Sequence, residues 1–129
     1  MTSASTFTAI ADLTERITVQ PEATVSRTVL RAAGVRVVMF AFDAGQELTE
    51  HTAEMPVLLQ VLKGRLAITA DGRTEDLLPG GLMHLDTRVP HAVLAHEPSL
   101  VVLTMLDDRT NKALTFKGAM VANPPIGRP

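Results

Sequence analysis

The sequence predicts an all-β fold whose strands close into a small barrel or jelly roll. From Val25 onward, short stretches of β-branched and aliphatic residues are separated by Gly, Pro, Asp and Asn. They recur at intervals of about ten residues, the spacing of a sandwich or barrel. Asp71-Gly72 adds a strong hairpin signal between residues 68–70 and residues 73–75. Because no segment shows a strong helical pattern, the strands can bury their apolar faces only by closing or doubling the sheet.

The turns between these stretches follow from residues that favour particular backbone angles. Asp71-Gly72 suits a type I′ turn because both residues tolerate positive φ. Pro79-Gly80-Gly81 marks a second turn, and Pro90 restricts the backbone where the strand from His91 begins. The predicted strands are residues 25–31, 35–42, 57–62, 65–70, 81–85, 91–96 and 100–106.

The length indicates a single domain. At 129 residues and 13.8 kDa the chain can bury one core but not two of ordinary size. Residues 1–24 are predicted to be a short leader packed on the barrel, and residues 25–106 the barrel domain. Residues 107–129 are predicted to form an irregular C-terminal extension, since their last part is too rich in proline for a regular element.

Composition excludes several classes of partner. The net charge is −2 and the basic residues are scattered, so nucleic acid is not expected as a partner. No apolar run approaches the roughly eighteen residues that span a bilayer, and the first residues lack a secretory pattern. A cytoplasmic location without membrane contact is therefore expected. The absence of cysteine removes disulfides, thiolate ligands and a cysteine nucleophile.

Two segments bounded by glycine each carry one histidine. The first runs from Gly45 to Gly64 and contains His51, and the second runs from Gly80 to His91. Glycines permit tight corners at strand ends, and histidines on neighbouring strands can then point into one cavity. In order and spacing, the segments resemble the two motifs of the cupin superfamily. The resemblance implies a small bacterial type of cupin, with one RmlC-like double-stranded β-helix.

The metal ligands of such motifs are incomplete in this sequence. Where the resemblance implies a second histidine and a glutamate, the chain has Ala53 and Val57. Only His51 and His91 remain, and a pair of imidazoles holds a divalent ion weakly. A tighter site for iron, manganese, nickel or zinc needs a recruited ligand; the candidates are Glu54 and His84, with Glu47, Glu50 and Gln60 also nearby. No other cofactor is expected.

The resemblance places His51 and His91 in one cavity, as polar anchors or as an acid and base. Around them we expect the ligand to meet Arg27, Met39, Ala53, Val57 and Gln60. Arg27 alternates with two valines and is the candidate for an anionic substrate. His84 is expected to point outward, and His96 is interpreted as structural because it lies five positions from His91.

The leading hypothesis is a protein that binds a small organic molecule in a largely apolar cavity, which Ala53 and Val57 make roomier. Two alternatives stay open: a metal-dependent enzyme of dioxygenase or isomerase type, and a non-catalytic ligand sensor. The sequence does not decide whether the protein is an enzyme. Apolar alternation in residues 25–42 further predicts a homodimer paired through an outer sheet.

Overall fold

The computed structural model describes residues 7–107 and shows an all-β fold. Within these residues one 3-10 turn, Leu13–Glu15, precedes nine strands. In chain order the strands are β1 Thr24–Ala32, β2 Val35–Phe42, β3 Glu47–His51, β4 Val57–Lys63, β5 Leu66–Ala70, β6 Arg73–Leu77, β7 Leu82–Leu85, β8 His91–Ala95 and β9 Ser99–Leu106. No helix in this part of the chain is long and apolar enough to cross a membrane.

The strands form two antiparallel sheets that face each other. The first sheet has the order β1-β2-β9-β4-β7, and the second has the order β3-β8-β5-β6. From β2 onward the chain passes repeatedly from one sheet to the other, so neither sheet can form without the other. This interleaving is the jelly roll that the strand pattern predicts.

The hairpin predicted at Asp71-Gly72 is confirmed. Both residues have positive φ, 51° and 74°, as a type I′ turn requires. The flanking residues Ala70 and Arg73 are register partners in the β5–β6 pair. This hairpin builds the outer edge of the second sheet.

Strand β3 is not among the predicted strands, and its composition explains why. It reads Glu-Leu-Thr-Glu-His, and every side chain in it except that of Leu48 is exposed. Local β-propensity is therefore weak, and pairing with β8 supplies the order. In that pairing His51 lies opposite His91.

The core fills the space between the two sheets. Phe42 anchors it: its side chain is 2% exposed and stacks on the ring of Phe40, with 5.9 Å between ring centroids. Burial of each large apolar side chain contributes roughly 1.5–3 kcal/mol. The other buried members of this cluster are Leu59, Val61, Leu66, Ile68, Val93, Ala95 and Val101.

The outer face of the five-stranded sheet is also buried near its centre. Met39 and Ala41 alternate along β2 with the two phenylalanines that face the core, so they point outward. Both are nevertheless fully buried within the chain. The predicted homodimer stays a prediction, and a second copy would have to contact this sheet away from these two residues.

The leader runs along the same sheet. Arg27 on β1 donates a hydrogen bond from Nη1 to the carbonyl oxygen of Arg16, at 2.7 Å. The pKa of Asp12 is lowered, mainly by hydrogen bonds from Thr14 and to a lesser degree by attraction to Lys63 on β4. The leader is thus held at β1 and comes close to the end of β4.

Candidate functional site

The structure brings His51 and His91 together. They are register partners on β3 and β8, and their ring centroids lie 4.3 Å apart with the planes inclined at 56°. His91 is buried, with 5% of its surface exposed, whereas His51 is exposed. One imidazole is therefore enclosed within the barrel, and the other is open to solvent.

Backbone carbonyl groups determine which ring nitrogens carry hydrogen. The Nδ1 atom of His51 lies 2.8 Å from the carbonyl oxygen of Thr49, and that of His91 lies 2.9 Å from the carbonyl oxygen of Val89. A carbonyl oxygen only accepts hydrogen bonds, so each Nδ1 must be the donor. In the neutral form each ring then keeps a free lone pair on Nε2. The site offers two adjacent hydrogen-bond acceptors.

This arrangement predicts an unusual tautomer that NMR can detect. At a pH of about 8, where free histidine is neutral, we expect His51 and His91 both to carry hydrogen on Nδ1. His96 is an internal control, because its Nε2 lies 3.5 Å from a carboxylate oxygen of Asp76 and should carry the hydrogen instead. Correlation of ring nitrogens with ring protons distinguishes the two forms. Hydrogen on Nε2 of His51 or His91 would contradict the assignment.

A small apolar cavity lies beside the histidine pair. Its volume is about 40 Å³, enough for about three water molecules. Apart from the two histidines its lining is entirely apolar: Phe40, Phe42, Leu48, Leu59, Leu66, Val93, Val101 and Leu103. The pair is therefore the polar end of a nearly filled hydrophobic interior.

Two loops meet beside the histidines. The amide of Arg88, in the β7–β8 loop, donates to the carbonyl oxygen of Ala53 in the β3–β4 loop at 2.8 Å. Arg88 has a φ of 63°, in the left-handed region that glycine adopts most readily. We call the end of the barrel formed by these loops the mouth.

Neither candidate third metal ligand joins the pair. Glu54 is strongly exposed, and its Oε1 lies 3.4 Å from Nη1 of Arg88. His84 is the register partner of Leu58 on the outer face of the sheet, and its Nε2 lies 3.9 Å from Asp86. Among residues 7–107 no three His, Cys, Asp or Glu side chains are grouped so as to hold a metal ion. The residues present do not fit a three- or four-ligand centre.

Three residues expected to contact a ligand lie on the outer face of the five-stranded sheet. Arg27, Met39 and Gln60 share that face because Met39 pairs with Arg27 on one side and with Val102 on the other, and Val102 pairs with Gln60. Side chains alternate along a strand, so a residue one position from a core-facing neighbour points away from the cavity. Arg27 instead binds the leader.

Ala53 and Val57 also lie outside the cavity lining. Ala53 is in the β3–β4 loop, and Val57 is a buried residue at the start of β4. Their small side chains therefore do not enlarge the cavity beside the histidines. Larger residues, Phe40 and Leu103 among them, occupy that space. The period-two pattern of β2 carried this signal, since Phe40 and Phe42 alternate with small or outward residues.

The two interleaved sheets and the histidine pair near the mouth define a barrel with the cupin fold. Solved structures agree. A protein of unknown function from Streptococcus pyogenes is 24% identical, covers 80% of this chain and 90% of its own, and superposes with a TM-score of 0.70. An RmlC-like cupin from Desulfovibrio desulfuricans is 25% identical over 78% of this chain and 97% of its own, with a TM-score of 0.69.

The fold is shared by proteins of different activity. A salicylate 1,2-dioxygenase from Pseudoaminobacter salicylatoxidans superposes with a TM-score of 0.62 at 16% identity, over 67% of this chain and 27% of its own. At that identity the likeness concerns the fold alone. No family model matches the sequence, and no curated protein matches it significantly. The structural neighbours are cupin superfamily proteins, and the cupin fold is what they share with this chain.

Proposed function

We propose that this protein binds a small organic molecule at the mouth of the barrel, with His51 and His91 as its polar anchors. The observation that carries the proposal is the pair of adjacent imidazoles, each with Nδ1 engaged by a carbonyl, at the end of an otherwise apolar cavity. Such a combination of apolar surface with a few convergent polar groups is typical of small-molecule sites.

The histidines restrict the chemistry of the ligand. Two neutral rings with free Nε2 lone pairs can only accept hydrogen bonds, so the ligand must bring a donor such as a hydroxyl or N–H group. In this proposal buried His91 contacts the ligand, while exposed His51 lies at the boundary with solvent. This division suits acid–base chemistry as well as simple binding.

The cavity also restricts how the ligand is placed. Ligand pockets usually measure roughly 300–1,000 Å³, whereas this cavity is about 40 Å³. Only a short apolar end of the ligand can enter it without movement of the lining. The polar part of the ligand must then lie at the histidines and in the mouth.

The proposal predicts that binding depends on a hydrogen-bond donor. Butanol should shift the NMR signals of His51 and His91, and butyl methyl ether, which lacks the hydroxyl hydrogen, should bind about tenfold more weakly. His91→Leu should abolish the preference for butanol. His96→Leu removes a histidine that follows the end of β8 and lies beside Asp76, and it should leave the preference unchanged. Equal binding of alcohol and ether by the unsubstituted protein would contradict the proposal.

The two free Nε2 atoms also favour a second candidate, a weakly held divalent metal with enzymatic activity. Metal analysis of freshly purified protein distinguishes this metal enzyme from the metal-free binding site. Near-stoichiometric iron, manganese, nickel or zinc that is lost in His51→Ala would support the metal enzyme and overturn the metal-free site. A ligand that raises the melting temperature without being turned over would instead support a sensor.

A further inference from the structure

Arg36 is a charged residue on the inner face of the barrel. Along β2, Phe42 and Phe40 line the cavity, and the period of two places Val38 and Arg36 on the same face. Arg36 is partly buried. An arginine on a face that is otherwise apolar costs free energy unless its hydrogen-bonding groups are satisfied.

The strand register places Arg36 at the mouth. Arg36 pairs with Met105, Met105 with Val57, and Val57 with Leu85, which makes one row across the sheet. Leu85 ends β7, and the loop that follows leads directly to His91. The row therefore lies at the same end of the barrel as the histidine pair. The β3–β4 loop joins His51 to Val57, and Val57 belongs to this row. The loop therefore also places the row at the end of the barrel where the histidines lie.

The guanidinium of Arg36 is poorly satisfied. Its Nε atom is buried and has no hydrogen-bond partner among the described residues, and the acceptor that they provide for its Nη2 is the sulfur of Met105, at 3.0 Å. A thioether is a weak acceptor. Arg65 also has an unbonded Nε, but a carboxylate oxygen of Asp76 lies 3.6 Å from its Nη2. Within residues 7–107, Arg36 has no carboxylate at ion-pair distance.

We infer that Arg36 binds the anionic group of the ligand, and that the ligand is a small organic carboxylate. A carboxylate accepts two hydrogen bonds from the planar guanidinium and supplies the acceptors that residues 7–107 do not provide there. The inference rests on the proposed function, because it concerns a ligand shared with His51 and His91. Arg36 on the inner face, and not Arg27, is therefore the arginine that we assign to the anionic group.

The two anchors complement each other chemically. The histidine pair accepts a hydrogen bond from a donor group, and Arg36 donates to an anion. A ligand with a donor and a carboxylate, such as a short hydroxy acid, satisfies both. Its short apolar part can occupy the cavity. A neutral ligand offers no acceptor to the buried Nε of Arg36 and gains nothing there, so it binds more weakly than a carboxylate of the same size.

Titration with three matched probes tests this inference. Hydroxybutyrate carries both groups, butyrate lacks the hydroxyl, and butanol lacks the carboxylate. We expect Arg36→Gln to weaken hydroxybutyrate and butyrate about tenfold or more, and to leave butanol unchanged. Arg16→Gln is the matched control, because Arg16 is exposed, lies in the leader next to Arg27 on the outer face, and its loss removes the same charge. It should change the affinity for butyrate by less than about twofold.

The outcomes separate this inference from the proposed function. If butanol shifts the histidine signals but butyrate binding is equally weakened by Arg16→Gln and Arg36→Gln, the role of Arg36 is overturned and the proposed function stands. If butyrate binding requires Arg36 but no probe shifts the signals of His51 or His91, the proposed function is overturned and the role of Arg36 stands. Should Arg36→Gln fail to fold, the Nε–H signal of Arg36 in the unsubstituted protein must move with butyrate and not with butanol; a signal unmoved by butyrate overturns the inference.

Discussion

Replacing Gly64 with alanine is expected to lower the free energy of unfolding by about 2–5 kcal/mol. Gly64 has a φ of 89°, which strains any residue with a Cβ. A Cβ there would also collide with the Oγ of Ser99 and the carbonyl oxygen of Pro98, and would lie 2.7 Å from the Cα of Ser99. Backbone atoms cannot move aside as a flexible side chain can, so the β4–β5 turn must shift away from β9.

Ser99 explains why that shift is costly. Its side chain is fully buried, its Oγ accepts a hydrogen bond from the amide of Arg65 at 3.0 Å, and it donates to the carbonyl oxygen of Glu97 at 2.7 Å. Moving the turn breaks contacts that satisfy buried polar groups. The clash and the lost hydrogen bonds therefore add to the strain of positive φ.

Gly45→Ala is the matched control for this substitution. Gly45 has a similar φ of 84°, but a Cβ there would meet nothing within 4 Å. Gly45→Ala should lower the free energy of unfolding only by the backbone strain, about 1–2 kcal/mol. Urea unfolding measures the free energy of unfolding of both variants. Circular dichroism is the suitable signal, because the chain has no Trp or Tyr for fluorescence. Equal losses in the two variants would show that the contact with Ser99 contributes nothing.

Truncation of Phe42 to alanine is expected to cost about 3–5 kcal/mol. The ring is almost completely buried between the sheets and stacks on Phe40. Its loss removes apolar contacts and leaves a void that the paired strands cannot collapse to fill. Phe7→Ala removes the same ring from a residue that is 92% exposed, and should change stability by less than about 0.5 kcal/mol.

The same substitution has a second consequence, because Phe42 also lines the cavity beside the histidines. In Phe42→Ala the enlarged cavity should accept an apolar molecule such as benzene, and saturating benzene should raise the melting temperature of the variant. The unsubstituted protein should show no such rise. Absence of a benzene effect in a folded Phe42→Ala protein would mean that the core has collapsed into the void.

Sequence reasoning was most successful where a local backbone requirement selects the residue. The Asp71-Gly72 turn was predicted because its two positive φ angles need such residues. The two histidine segments were found by their order and spacing, and the structure pairs His51 with His91. Sequence reasoning failed at β3, because its exposed side chains show no apolar alternation. The strand forms through its pairing with β8.

The face of the sheet on which a side chain lies was harder to predict. If the alternation assigned to a strand is wrong by one residue, every side chain in that strand is placed on the wrong face. Arg27 was expected to face a ligand and instead holds the leader, while Arg36 faces the barrel interior. Valines lie near both in the sequence, at positions 25 and 29 for Arg27 and at positions 35, 37 and 38 for Arg36, so the presence of apolar neighbours does not identify the inward arginine. Only the register of β2 with β9 shows which one reaches the inner face.

The sequence by itself determined the strand pattern, its turns, and the presence of two histidines where a fuller set of metal ligands would be expected. Those properties depend on neighbouring residues along the chain, such as Asp71 and Gly72. The tertiary structure alone decided that the two imidazoles are adjacent, that their cavity is small, and that Arg36 lies at the same end of the barrel. These properties depend on pairing between strands distant in the chain, which packing of two interleaved sheets determines.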